Sequence, residues 1–548
     1  MKRFLFTPGH EQETFDLLIV GGGVYGAAMA YYASLANLTV ALFEKEDFCA
    51  HTSANSQKVI HGGLRYLQSF DIKRVVESIR ERQRFYALFP HLVQPLPCVL
   101  PVSGWGTKSR EAMSAAFFVY RILQSFVCRG GLTAHGDKSP RMLSAQETVS
   151  MFPHLQTKKL RGGALWYDGL CVEPERVVMS LLKSAAGKGA SIANYVKVNE
   201  IKRINDDILS VSLQDRLSGK ESEIKAGKIA LCTGPWFKET FKFASLPEEL
   251  EKLTLISGVN VVTNPLTDSR ASIALKSEKP ENSRLMFVLP WKKYSIAGTI
   301  WEEGGDSPSQ SFAKAETGTQ LNSAVHETYP ASMQPPAKLR SHFGYVPGEK
   351  GSNKHPADRI LSHYKLVSRE KEKQDDVIQV VGVKFTTVFD VTLKALAKLF
   401  PEQRFSDTIA TDTLPVGSPQ DSPETHLKLL QKRYGTTFSP ELITMLFGIL
   451  GTELSAVLEK YVLPGLKEED EKKSYYHLLR GLTRFFIEEE MVVSLVDLIH
   501  RHFFPGMPGL PEADELEVIA LEMTSLLDWS DAERDKELEK VRSFAKSC

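Results

Sequence analysis

Three glycines and one acid supply the first hint of chemistry. Gly21, Gly23 and Gly26 fall at G-x-G-x-x-G spacing directly after the apolar run Leu17 to Val20. In that pattern the first glycine permits a tight turn, the second lets the backbone approach a pyrophosphate, and the third lets a helix pack on a strand. Free N–H groups at the helix N-terminus then hold the phosphate charge. A second apolar run, Leu38 to Phe43, ends at Glu44, about where an acid takes the hydroxyls of an adenosine ribose. Downstream, Thr52-Ser53 and Ser56-Gln-Lys58-Val-Ile-His61-Gly62-Gly63-Leu-Arg65-Tyr66 gather hydroxyls, glycines and donors suited to cofactor and substrate contact. Lys384, at the head of Lys384-Phe-Thr386-Thr387, could stabilise negative charge or, with a depressed pKa, accept a proton. The chemistry implied is that of a dinucleotide enzyme acting on a small molecule.

The elements that must position these residues are legible in outline. The unbroken apolar run before Gly21 predicts a central parallel strand, and Ala27, Ala28 and Ala30 predict a slim helix lying against the sheet. A helix is predicted from Ile72 to Phe89, and the Pro-rich segment 94–101 marks a departure from the nucleotide fold. Residues Trp166 to Gly187 read as a loop, a Pro174 helix start and a helix ending at glycine. Strands at Ser191 to Ile204 and Ile208 to Gln214 read as a hairpin about Asn205-Asp206-Asp207. An apolar strand at Lys228 to Cys232 runs into Thr233-Gly234-Pro235-Trp236. Leu253 to Tyr345 alternates β-branched and aromatic residues with turns, predicting an antiparallel sheet that floors a substrate chamber. Val377 to Val381 starts another strand-turn-helix unit, preceded by a charged run, 369–376, that reads as a solvated hairpin tip. Residues 405–423 read as a linker, and everything beyond them as helix, with Ser422-Pro423 and Ser439-Pro440 as helix starts and Gly435 as a stop.

Length and composition bound the classes. At 548 residues the chain exceeds one core, and two or three domains are expected. Lys plus Arg and Asp plus Glu both number 67, so nothing in the charge balance proposes nucleic acid as a partner. The six cysteines show no zinc spacing and suggest free thiols in a reducing compartment; no metal site is expected, and His500 and His502 diverge around a helix. No run of eighteen apolar residues occurs, so no bilayer-spanning helix is expected. The apolar helical stretch 112–128, broken by Arg121 and Gln124, reads as core or domain interface, with a bilayer surface as the alternative.

Taken in order, the Gly21 to Gly26 turn with Glu44, the run from Thr52 to Leu67, Thr233-Gly-Pro-Trp236, Gly298-Thr299, Lys384-Phe-Thr-Thr387 and the helical C-terminus with Arg433-Tyr434-Gly435 resemble the FAD-dependent, quinone-linked glycerol-3-phosphate dehydrogenases. These belong to the D-amino-acid-oxidase-like flavoprotein superfamily, and the resemblance extends over nearly the whole chain. It implies an α/β fold with a Rossmann-like FAD-binding domain, an antiparallel β substrate domain and an all-α C-terminal domain. The oxidoreductase region would span 1–412, with FAD-binding parts near 14–90, 160–250 and 350–400 and substrate parts near 91–159 and 251–349; the helical domain would span 413–548. FAD is the implied cofactor. Its contacts would be Gly21, Gly23, Gly26, Glu44, Thr52, Ser53, Ser56, Lys58, Val196, Gly234, Gly382, Thr386 and Thr387, with backbone near Lys384 to Thr387 stabilising charge on the reduced ring. Arg65, Tyr66, Lys384 and His61 would serve catalysis. The implied reaction removes a hydride from C2 of glycerol 3-phosphate to flavin, giving dihydroxyacetone phosphate, with electrons passed to quinone. The implied setting is cytoplasmic, or peripheral on the inner face of the cell membrane, with a homodimer left open.

The departures concern substrate. Where the family carries Lys-Gly-Ser-His, Gly-Val-Arg-Pro and a phosphate-binding arginine, this chain has Ser257-Gly-Val-Asn260, Gly344-Tyr-Val346-Pro347 and Ser362. A further arginine expected after the Lys-Leu-Thr-Thr motif is missing near Phe389-Asp390. Arg359, His363 and Lys365 stand close enough in sequence to compensate. Two other readings are oxidation of another hydroxy acid or an amine, and a flavin-holding protein without turnover, against which the retained Arg65 and Lys384 argue.

Overall fold

The computed structural model describes residues 1, 3, 14–103, 109–128, 138–155, 160–239, 247–276, 285–308, 315–329, 338–351, 354–368, 376–405, 413–466, 471–504 and 507–547. The charged run 369–375 and positions 406–412 of the linker lie outside them.

The glycine turn sits at the centre of an eight-stranded sheet. Its strand, Thr14–Val20, runs parallel to Val40–Phe43 on one side and to Glu221–Leu231 on the other. Val377–Val381 extends the parallel set beyond Glu221–Leu231, and Ser191–Ala193 extends it beyond Val40–Phe43. Leu17, Leu18 and Ile19 are fully buried, as a strand covered on both faces requires. Helices Val24–Leu35, Pro174–Gly187 and Val388–Leu399 cover one face, and the alanines predicted to keep the first slim are buried there. The predicted strand 191–204 is divided. Tyr195 takes φ 55, the chain turns at Asn194-Tyr195, and only Val196–Arg203 forms the hairpin with Leu209–Asp215.

A nine-stranded sheet, almost wholly antiparallel, forms the second layer. Leu253–Thr263 lies between Lys338–Glu349 and Tyr294–Gly305, and Leu285–Trp291 follows. The Pro-rich segment, expected to leave the nucleotide fold, is strand Val93–Ser103 of this sheet. One departure from the sequence reading occurs here: the residues read as a loop from Trp166 belong to strand Leu160–Cys171, which pairs with Val93–Ser103 over its whole length. Leu160–Cys171 and the short Val59–Ile60 beside it are therefore parts of the second sheet, although both were assigned to the FAD-binding parts. Gly162, Gly163, Asp168 and Gly169 interrupt the apolar pattern that would have marked the strand.

From Pro423 the described chain is helical. The hydroxyls of Ser422 and Ser439 accept N–H bonds from Thr425 and Leu442, as N-caps followed by proline do. The helical run expected beyond the linker is broken at Met491, φ 59, where Glu471–Glu490 ends and a new start is capped by Ser494. Among the described residues one stretch, Pro440–Val462, is long and apolar enough by length and composition alone to cross a membrane. Its Ile443, Leu446, Leu450, Leu454 and Leu458 are spent in the helical core.

Candidate active site

The nucleotide turn is held by backbone geometry that side chains would break. Gly21 takes φ 109, and a Cβ there would lie 2.5 Å from the Cys232 carbonyl oxygen; one on Gly26 would lie 1.9 Å from the Gly21 oxygen. Gly23 is the N-cap of helix Val24–Leu35, whose first turn carries no acid. The Ser53 hydroxyl accepts the Val24 N–H at 3.1 Å, so Ser53 sits at that N-terminus. Glu44 accepts the N–H groups of Gly22 at 2.7 Å and Glu46 at 3.0 Å, which fixes its carboxylate beside the turn. A turn that admits no Cβ, open helix donors and an adjacent fixed acid fit a dinucleotide.

The loop after Ser53 joins the two sheets. Thr52 accepts the Tyr345 N–H at 3.2 Å, and Gln57 donates to the Gly298 carbonyl at 2.8 Å. Ser56 accepts the Lys58 N–H at 3.1 Å. Lys58 turns its side chain inward, where it is buried 3.8 Å from Glu175 and over the Trp291 ring. Val196 is likewise committed, its N–H bonded to the Glu44 carbonyl at 2.7 Å and its side chain in the sheet core. Gly234 is exposed at φ 52 beside Trp236, while Gly382 lies under the Tyr25 ring, which a Cβ would strike at 2.1 Å.

His61 is half exposed, and its N–H donates to Thr386 at 3.2 Å, drawing the two motif runs together. Beneath it lies a residue the sequence reading missed. Asp168, on the strand read as a loop, accepts the Gly62 N–H at 2.7 Å and Trp166 Nε1 at 3.0 Å, and stands 3.9 Å from His61 Nδ1. Burial opposes its charge, yet the His61 bond, the His61 and Arg82 charges and the Gly62 N–H hold its carboxyl below the usual range.

Arg65, Tyr66 and Lys384 meet. Lys384 Nζ donates to the Tyr66 hydroxyl and lies 4.5 Å from that ring, and Tyr25 fixes the Lys384 carbonyl through a 2.7 Å bond. Arg65 lies 5.9 Å from the same ring. Burial pushes the Lys384 ammonium below the ordinary lysine value; Tyr66 works the other way, and Arg74 and Arg65 add to the fall. Arg74, also missed, stacks its guanidinium 4.0 Å from the Tyr66 ring. The N-terminus of Val388–Leu399 gives its Phe389 and Asp390 N–H groups to the Glu81 carboxylate.

At the departed positions, Asn260 is buried and accepts the Thr299 hydroxyl at 2.7 Å. Val346 is half-buried on Lys338–Glu349, and Ser362 is exposed. Of the compensating cations named from sequence, Arg359 is bound to the Glu349 carbonyl at 2.8 Å and to Glu303, and Lys365 faces Glu249 at 3.6 Å.

Residues 16–361 match the family model of the FAD-dependent oxidoreductases, more than half of the chain. The chain belongs to that family. This oxidoreductase is 27% identical to a glycerol-3-phosphate dehydrogenase of Synechocystis sp., with 98% of this chain and 97% of that protein covered. An aerobic glycerol-3-phosphate dehydrogenase of Staphylococcus aureus is 30% identical over a stretch that spans 58% of this chain and 56% of that protein. Among solved structures, the glycerol-3-phosphate dehydrogenase of Bacillus halodurans complexed with FAD shares the fold, with a TM-score of 0.75 at 19% identity over 98% of this chain and 96% of that one. FAD is the cofactor of this family, and a glycine turn beside a fixed acid is a geometry that suits a dinucleotide.

Proposed function

We propose that this flavoenzyme oxidises sn-glycerol 3-phosphate to dihydroxyacetone phosphate and passes the electrons to a quinone at a membrane face. The observation that carries the reading is the bond from Lys384 Nζ to the Tyr66 hydroxyl within a group of cations that includes Arg65. The named activity of the relatives supports the choice of substrate. FAD, when bound, supplies a two-electron acceptor for the hydride that leaves C2. The protein does the rest. Arg65 attracts the anion, Tyr66 orients Lys384, and the depressed pKa of Lys384 lets Nζ take the proton of the C2 hydroxyl. His61, tied to Thr386 and braced by Asp168, borders the reacting face.

A membrane contact is supported by helix Arg110–Cys128. Its inner face buries Met113, Phe117 and Tyr120, while Phe118, Ile122 and Phe126 stand exposed on the other. The decisive experiment mixes the purified protein, without oxygen, with glycerol 3-phosphate, glycerol, lactate and small amino acids. Bleaching of the flavin by glycerol 3-phosphate at low concentration supports the substrate; bleaching by lactate or an amino acid alone refutes it. Flotation with anionic liposomes, lost on Phe118→Ser with Phe126→Ser, tests the membrane contact.

A further inference from the structure

Arg74 opens the helix Ile72–Leu88, beside the exposed Lys73, and no acid accompanies them in the first turn. Cations are disfavoured at a helix N-terminus, where the macrodipole is positive, so two in succession call for a reason outside helix stability. Asp71, the N-cap, offsets part of the cost by accepting the Arg74 N–H at 3.2 Å and lying 3.8 Å from the guanidinium. The Arg74 side chain nevertheless crosses to the middle of the chain. Its Nη2 donates to the Ser362 carbonyl at 2.8 Å, and its guanidinium plane covers the Tyr66 ring whose hydroxyl receives Lys384. This brings its charge to the position at which Ser362 stands in place of an arginine. Arg359 and Lys365, the other strong cations near Ser362 in sequence, are occupied by Glu303 and Glu249.

We infer that Arg74 is a specificity-determining residue that binds the phosphate of the substrate, reaching from the helix start to the place left by Ser362. The inference rests on the glycerol 3-phosphate reading above. Its physical basis is assembly of like charge: Arg65, Arg74 and Lys384 share one aromatic ring, and each adds to the positive potential that a phosphate would meet there. With Nη2 given to the Ser362 carbonyl and Nε facing Asp71, the guanidinium over Tyr66 keeps Nη1 for a phosphate oxygen.

The test uses the FAD-loaded protein. Arg74→Met should raise KM for glycerol 3-phosphate about 10- to 100-fold, the loss of one charge-assisted hydrogen bond, with kcat changed only a few-fold. Turnover of glycerol, which has no phosphate, should lose far less of its kcat/KM than turnover of glycerol 3-phosphate, any loss there reporting the Arg74 charge felt by Lys384, and Arg74→Lys should recover part of the lost affinity. A second measurement without turnover is protection by inorganic phosphate. Phosphate should raise the melting temperature of the wild type and of Arg74→Lys but not of Arg74→Met. An unchanged KM for glycerol 3-phosphate, or equal losses on glycerol and glycerol 3-phosphate, overturns the assignment. So does phosphate protection that survives in Arg74→Met. Should wild-type protein fail to be reduced by glycerol 3-phosphate at all, the substrate reading falls, and the phosphate measurement still decides whether Arg74 forms an anion site.

Discussion

Two gatherings of buried or half-buried cations can be set side by side. Between the parallel-sheet layer and the helical C-terminal region, Arg176 grips Glu490 with two bonds of 2.6 and 2.8 Å, and donates to the Ile449 carbonyl at 2.8 Å. Lys183 reaches Glu453 at 2.6 Å and Glu490 at 3.2 Å, and His502 Nδ1 meets Glu490 at 2.8 Å. Each cation there has a carboxylate in place. Around Tyr66 the arrangement is different: Lys384 is met by a phenol, and Arg74 by a carbonyl, a ring and the capping Asp71. Internally compensated charge at the domain boundary is a structural joint. Charge compensated by weaker neighbours, at the junction of both sheets and the cofactor loop, is the charge that the proposed anionic substrate would complete.

Lys384→Met separates the two kinds of cluster most widely. It should slow flavin reduction by substrate about 10²- to 10⁴-fold, the range for losing a general base, in single-turnover measurements without oxygen. Stability should hold or rise, because a cation held at a cost in the folded state has been removed. A marked fall in melting temperature would show that Lys384 is a joint like Arg176.

Glu490→Gln is the opposite case, with an expected cost of about 3–5 kcal/mol, since it leaves Arg176 and Lys183 buried without their shared charge. Denaturant melts should show the helical region released early. Folded protein should keep the wild-type rate per flavin, and a rate loss as large as that of Lys384→Met would erase the distinction.

The pH dependence of stability sharpens the same contrast. Burial opposes the charge on Glu490, but Arg176 and Lys183 hold its carboxyl well below the usual range. Its contribution is therefore complete above the unfolded value of about 4.3 and is lost as pH falls through the lower folded value. Lys384 has its folded pKa depressed, by burial first. The folded state then binds fewer protons than the unfolded one between that value and about 10.4, so this residue's penalty shrinks as pH rises. Acid melts of Glu490→Gln should lose the low-pH slope, and alkaline melts of Lys384→Met should lose the high-pH one.

How legible each region is in sequence follows from what builds it. The nucleotide turn is made from backbone and from residues close together in the chain, so glycine spacing, Glu44 and Ser53 announce it. The Tyr66 cluster is made by tertiary contact: Lys384 lies 318 residues from Tyr66, and the Ser362 carbonyl 288 from Arg74. Motif runs could identify Lys384 and Tyr66, but Arg74 lies outside every run and has only its unfavourable place at a helix start as a signal. Lys58 fails in the other direction. Its motif suggests the cofactor, while Glu175 and Trp291, distant in sequence, turn it inward. Asp168 was hidden because glycines around it disguised a strand, and Ser191 to Ile204 was read as one strand because a φ of 55 at Tyr195 leaves no mark on an apolar pattern.

The smallest expected effect tests the weakest link of the Tyr66 cluster. Tyr66→Phe keeps the ring on which Arg74 stacks and removes only the hydroxyl that Lys384 meets. A hydrogen bond of this kind contributes about 0.5–1.5 kcal/mol net, so kcat should fall no more than about tenfold and KM should barely move. The pH dependence carries the sharper information. Tyr66 holds the Lys384 pKa up against burial, so its removal lets that pKa fall further. If neutral Lys384 is the proton acceptor, the acid limb of the kcat profile should then move to lower pH, with the base available over a wider range. A limb that moves upward or stays fixed would mean that Lys384 acts as a standing positive charge rather than as the acceptor. The cluster would then differ from the Arg176–Glu490 joint in what it binds, but not in how its charges behave.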